Sequence, residues 1–255
     1  MQRVERVLER VTELPFSPIA AKILELAQDD RIGAREIAKI IAQDQAFTAR
    51  LLKIANSPYY GQTRAVTTVA QAVPVLGIDT ISSLALALFS FSSLVDDEGA
   101  ILSLRELWEH SMACGFWSRQ IAKRVGHPAA EETFIAGLLH DMGKALFYRY
   151  FKSDFLDAVA LAETENVALA EAERQILGID HAAAGALVAR KWHLPAVLLH
   201  TIEFHHFPFS LPEQVSDFHG KTVAIVHVAD VLSDGFQIGR GVESDPGTLN
   251  EEIWS

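Results

Sequence analysis

Ten histidines stand in this 255-residue chain, and five of them fall with two aspartates in an order that suits metal chemistry. They are His110, the pair His140-Asp141, His181, the pair His205-His206, and Asp230. Neutral imidazole and carboxylate are preferred donors for borderline divalent cations such as iron, manganese, zinc or nickel. A carboxylate can bridge two ions, whereas an imidazole nitrogen normally serves one, so Asp141 directly after His140 offers two donors from one point of the backbone. Lys144 follows within one turn of Asp141, where an ammonium can meet an anionic ligand. Gly143 lets a helix end turn beside such a site. Each residue also has a plain reading. A His-Asp dipeptide arises by chance, an isolated histidine is more often a core or surface residue, and Lys144 alone reads as a solvated helix-end cation. His127, His193, His200, His219 and His227 receive the plain reading.

Nearly every segment that must position these residues reads at helical period. Ser17-Pro18 opens a helix with Ile19, Ile23, Leu24, Leu26 and Ala27 on one face, serine capping and proline at the first helical position. Ile37, Ile40 and Ile41 recur at three and four residues, as do Phe47, Leu51, Leu52 and Ile54 after a capping Asp44. Asn56-Ser57-Pro58 stops that helix, its amide and hydroxyl able to tie down a turn. Gly77 follows a short helix, and Asp79 caps an apolar stretch from Ile81 to Val95. The acidic turn Asp96-Asp97-Glu98-Gly99 marks the expected lobe boundary. Ser103 and Glu106 are spaced as a capping box for a helix that runs through Trp108, Met112, Phe116 and Ile121 to Gly126. Further helices are predicted near 129–140, 152–165, 168–177, 180–192, 195–205 and 221–234. No alternating run is long enough for a sheet. The expectation is an all-α fold with an N-terminal helical lobe over 1–96, a site-bearing lobe over 97–239 and a loosely held tail over 240–255.

Composition narrows the function classes. Apolar residues make up 49%, enough for a sizeable core. The formal charge of −11 repels phosphate backbones, so no nucleic-acid partner is expected. The segments 34–42 and 47–53 imitate a helix-turn-helix, but Arg50 and Lys53 are thin support for a DNA reader. Ile81–Val95 is too short and too rich in serine to span a bilayer, and the N-terminus carries charges instead of a signal-peptide core, so no membrane partner is expected. Cys114 is the only cysteine and cannot form an internal disulfide, which fits a cytoplasmic location.

The run Ala136-Gly137-Leu138-Leu139-His140-Asp141-Met142-Gly143-Lys144 resembles the signature of the HD phosphohydrolase superfamily. His110 matches its upstream histidine and Asp230 its final aspartate. The residues from Gly178-Ile179-Asp180-His181 to His205-His206 are similar to the extra histidines of the HD-GYP subgroup. The first lobe resembles the HDOD pattern, in Glu13-Leu14-Pro15, Ile37–Asp44, Leu51–Gly61 and Ala72–Gly77. The resemblance covers roughly residues 12–235 and implies an HD-like multi-helix bundle. It implies one ion on His110, His140, Asp141 and Asp230, and a second on Asp141, His181, His205 and His206. Two departures stand out. Gln45 occupies a position where HDOD proteins usually carry proline, and His206 is followed by Phe207-Pro208-Phe209-Ser210 instead of the HD-GYP loop. Most HDOD domains have lost several metal ligands; this chain keeps the full set.

Two functions follow as expectations. The first is a bacterial HDOD-type signalling module with a protein partner and one or two divalent ions, binding a small phosphate-containing ligand. The second is a metal-dependent phosphohydrolase or phosphodiesterase acting on a nucleotide or cyclic dinucleotide. There Asp141 and Lys144 are the catalytic candidates, Lys144 neutralising charge that develops on phosphate.

Overall fold

A computed structural model of the chain describes residues 34–42, 48, 51–52, 54–56, 65–78, 80–81, 104–192 and 194–236. Among them every regular element is helical, as the periodicity predicts. They fall into two compact units, one within residues 15–92 and one from residue 93 onward. Several predicted features lie outside the described residues: the helix opened by Ser17-Pro18, the Asp44 cap, Gln45, Ser57-Pro58, the Asp79 cap and residues 82–95. So do the turn Asp96–Gly99, Ser103, His193 and the tail from Arg240.

In the first unit, α1 (Ala34–Ile41) buries Ile37 and Ile41 and packs on α2 (Val69–Leu76). Thr68 and Gln71 form a capping box at the start of α2, and Gly77 ends it at φ 83°, a conformation that favours glycine. The Asn56 amide donates to the Val66 carbonyl and accepts from the Val66 N–H, both at 2.7 Å. That is the turn-tying role its position suggested.

The second unit carries the histidines. It comprises α3 (Leu104–Arg124), α4 (Ala130–Leu139), α5 (Met142–Tyr150), α6 (Lys152–Glu165), α7 (Leu169–Ile176), α8 (His181–Lys191), α9 (Ala196–Phe204), a 3-10 turn (Pro208–Ser210) and α10 (Asp217–Gly235). The long helix α3 packs chiefly on α4 and α10, while α8 packs on α9 and α5. Phe134, Phe147 and Phe155 fill the interior completely shielded from water.

Two differences from the sequence expectation bear on the site. The helix predicted near 129–140 stops at Leu139, and a second helix, α5, starts at Met142. Asp141 forms the joint, with φ −96° and ψ 18° between the main helical and extended regions. No helix was expected over 142–150, because Gly143 read as a helix terminator. Gly143 is instead helical. A side chain there would run into the His181 carbonyl, so glycine lets α5 approach the start of α8. The last helix also begins earlier than expected, at Asp217, where the Ser216 hydroxyl accepts from the His219 N–H at 3.4 Å. Asp217-Phe218-His219-Gly220 carries too little apolar period to reveal that turn.

Candidate metal centre

The predicted ligands come from five places in the second unit. His110 lies in the first half of α3, His140 and Asp141 at the α4–α5 joint, and His181 at the first position of α8. His205 and His206 follow the end of α9, and Asp230 is in α10. The structure brings all seven together. Asp141 is the centre, because its two oxygens face different partners. Oδ2 lies 3.5 Å from His110 Nε2 and 3.3 Å from His140 Nε2. Oδ1 lies 3.4 Å from His181 Nε2 and 3.6 Å from His205 Nε2. Asp230 Oδ1 accepts from His110 Nε2 at 2.9 Å and sits 3.3 Å from His140 Nε2. His206 Nε2 is 2.8 Å from His181 Nε2. All but His206 are buried.

Ring orientation follows from local backbone. His140 Nδ1–H donates to the Gly137 carbonyl at 2.7 Å, and His205 Nδ1–H to the Ile202 carbonyl at 3.0 Å. Each uses the carbonyl three residues back at the end of its helix. With Nδ1 protonated, the neutral ring presents a bare Nε2, the form that binds metal. Those two Nε2 atoms, and Oδ1 of Asp141, are buried without a hydrogen-bond partner. Unpaired buried polar atoms are costly, and three of them converging from imidazole and carboxylate form a donor set that fits divalent cations. Ligand atoms of His110, His140 and Asp141 lie within 4.8 Å of one another, as do those of His181, His205 and His206.

Without cations, burial opposes a charge on His140, but the Asp141 and Asp230 carboxylates overcome it and hold the ring well above its ordinary value, so a metal ion displaces a proton there. Burial pushes the Asp141 carboxyl up, but His140 and Lys144 outweigh it and hold the group well below its ordinary value. Burial likewise opposes ionisation of Asp230, and His140 and His110 overcome it. Burial drives His205 down to about 4, leaving it neutral. Lys144 is no solvated cation. It is fully buried, with Nζ 2.8 Å from Asp141 Oδ2.

Three residues here escaped the sequence reading. Glu173, buried in α7, accepts from the His181 Nδ1–H at 2.6 Å and from the His181 backbone N–H at 2.8 Å. Its signal was present: Leu169, Ala172 and Ile176 mark the inward stripe of α7, and Glu173 falls on that stripe. Asp234, one turn beyond Asp230, places Oδ1 3.3 Å from His110 Nδ1. Cys114 Sγ shares a 4.8 Å cluster with His140 and Asp230. Of the histidines given a plain reading, His227 Nδ1–H donates to the His205 carbonyl at 2.7 Å, joining α10 to the end of α9.

Comparison with known proteins adds a family and a fold. The family model described as HDOD domain matches residues 14–208. A crystal structure of an HDOD domain protein of unknown function from Geobacter sulfurreducens is 28% identical, with a TM-score of 0.76 over 93% of this chain and 78% of that one. A candidate phosphohydrolase from Shewanella amazonensis is 25% identical, with a TM-score of 0.69 over 97% of this chain and 93% of that one. An uncharacterized protein of Treponema pallidum is 26% identical over 235 residues, 90% of this chain. The match covers 44% of that relative, so the chain spans less than half its length. Among the described residues no helix is long and apolar enough to cross a membrane.

Proposed function

The chain belongs to the HDOD family, and from that premise we propose a bacterial signal-transduction module that holds a pair of divalent ions and binds a small phosphate-containing ligand. One observation carries the reading: the buried Asp141 carboxylate, with one oxygen toward His110 and His140 and the other toward His181 and His205. His110, His140, Asp141 and Asp230 would hold one ion, and Asp141, His181, His205 and His206 the other. Divalent ions at such a site supply Lewis-acid charge to a phosphoryl oxygen.

The residues around the centre then define the ligand. Lys144 neutralises Asp141 while metal is absent; with cations on that carboxylate, the ammonium turns its charge to a bound anion. His206 is the one ligand residue with partial exposure, so an incoming molecule reaches the centre from its side. The Phe207 ring, 63% exposed, lies beside His206 with centroids 6.4 Å apart. Ligand binding would move the segments that bear His181 and His205-His206, which gives an output for a signalling partner without turnover.

A second reading, metal-dependent phosphohydrolysis, is favoured by the complete ligand set. Calorimetry with inorganic phosphate on manganese-loaded protein separates the possibilities. The module reading expects saturable binding, weakened by Lys144→Ala and absent after chelation, with little hydrolysis of an aryl phosphodiester. Robust manganese-dependent hydrolysis abolished by His140→Ala would establish the enzyme instead. Phosphate binding indifferent to metal would remove both.

A further inference from the structure

The histidines of the centre are not oriented alike. His140 and His205 each end a helix and find a carbonyl three residues back for Nδ1–H. His181 opens α8, where no preceding turn of that helix supplies a carbonyl. Its Asp180 neighbour is already engaged, capping α8 through the Ala183 N–H at 2.8 Å and pairing with Arg174 at 2.6 Å. The partner of His181 comes from another helix. A single oxygen of Glu173 accepts both its Nδ1–H and its backbone N–H. Glu173 is fully buried, and no lysine or arginine among the described residues pairs with it. Its other oxygen, Oε1, has no hydrogen-bond partner. A carboxylate buried on these terms is strongly disfavoured, and glutamine of the same shape would fill the space without the charge.

We infer that Glu173 is the positioning residue of the second metal position: it locks His181 with Nε2 bare and strengthens that nitrogen as a donor, so that occupancy beside Asp141 Oδ1 depends on it. The inference rests on the metal-centre reading. It concerns one half of that centre only, because His110, His140 and Asp230 make no bond to Glu173. Second-sphere carboxylates of this kind typically change metal affinity by about 10- to 100-fold.

The test is titration of the full chain, stripped by chelation, with manganese(II) alone, followed by calorimetry and elemental analysis. The proteins are the wild type, Glu173→Gln, Glu173→Ala, His181→Ala and the double variant Glu173→Gln/His181→Ala. Wild type should take up two ions. Glu173→Gln should keep the first at unchanged affinity and bind the second about 10- to 100-fold more weakly. Adding Glu173→Gln to His181→Ala should change nothing further. Glutamine keeps the shape and an acceptor oxygen, so this variant reports on charge even where alanine prevents folding. Two ions at wild-type affinity in Glu173→Gln would overturn the inference and leave the metal centre standing. A wild type that binds no manganese would remove the centre itself.

Discussion

Lys144 Nζ lies 2.8 Å from Asp141 Oδ2 across the first turn of α5, and both side chains are shielded from water. The pair explains how the metal-free chain tolerates a carboxylate at the middle of its histidines. Breaking a buried pair from one side leaves an uncompensated charge and costs about 3–5 kcal/mol. Lys144→Met should therefore lose about that much stability in chelator. Bound cations compensate Asp141 in lysine's place, so the loss should shrink on manganese loading. Urea unfolding with and without metal measures both; an equal loss in the two states would mean that the lysine does not balance this carboxylate.

Gly143 makes a sharper steric prediction. Its missing side chain is what admits the His181 carbonyl against α5. Gly143→Ala should cost about 1–3 kcal/mol by overpacking and weaken manganese binding by displacing His181. The natural control is Gly235→Ala, because a Cβ at Gly235 meets no neighbour. Similar melting temperatures for the two variants would contradict the account.

The pair His200 and His219 gives the molecule a pH dependence away from the candidate metal centre. Their Nδ1 atoms are 3.1 Å apart, joining α9 to α10. Burial and the neighbouring His219 hold His200 below its ordinary value of 6.5, with Arg190 adding to the effect and Glu203 opposing it. Just below pH 6.5 the unfolded chain therefore binds a proton that folded His200 does not, so stability falls as pH falls through that window. His200→Gln should flatten this fall in unfolding curves taken above and below pH 6.5 in chelator. A variant as acid-sensitive as the wild type would show that the pair is not responsible.

Asn56 is expected to matter for stability alone. Its amide makes a reciprocal pair with the Val66 backbone, worth about 1 kcal/mol for each of the two bonds. Asn56→Ala should lower stability by about that sum and leave the manganese content unchanged. A lost metal ion with unchanged stability would give Asn56 a functional role that its contacts do not suggest.

The convergence of these histidines and aspartates was legible in the sequence because imidazole and carboxylate on successive helices and helix ends are uncommon as a set, and their order carried the family resemblance. The all-helical fold was legible from apolar period, with α3 ending at Arg124, two residues before the Gly126 that marked its expected stop. The partners that hold those side chains were not. Glu173 shares α7 with Glu171, which is exposed and pairs with Arg174 at 2.9 Å. Only the inward stripe of that helix separates the two, and its alanines make the stripe faint. The break at His140-Asp141 was hidden for a similar reason. Apolar residues continue on both sides, and glycine at 143 serves close packing of α5 against α8 while its type suggests a helix stop. Backbone carbonyls of Gly137 and Ile202, which set two of the ring orientations, carry no side-chain signature at all.

The central claim is that Asp141 joins two ion positions, and metal content tests it most directly. Elemental analysis of the full chain after reconstitution with manganese(II) should find about two ions in the wild type and less than about a tenth of an equivalent in Asp141→Asn. A wild type with less than about a tenth of an equivalent, or an Asp141→Asn variant that still holds two ions, would contradict it.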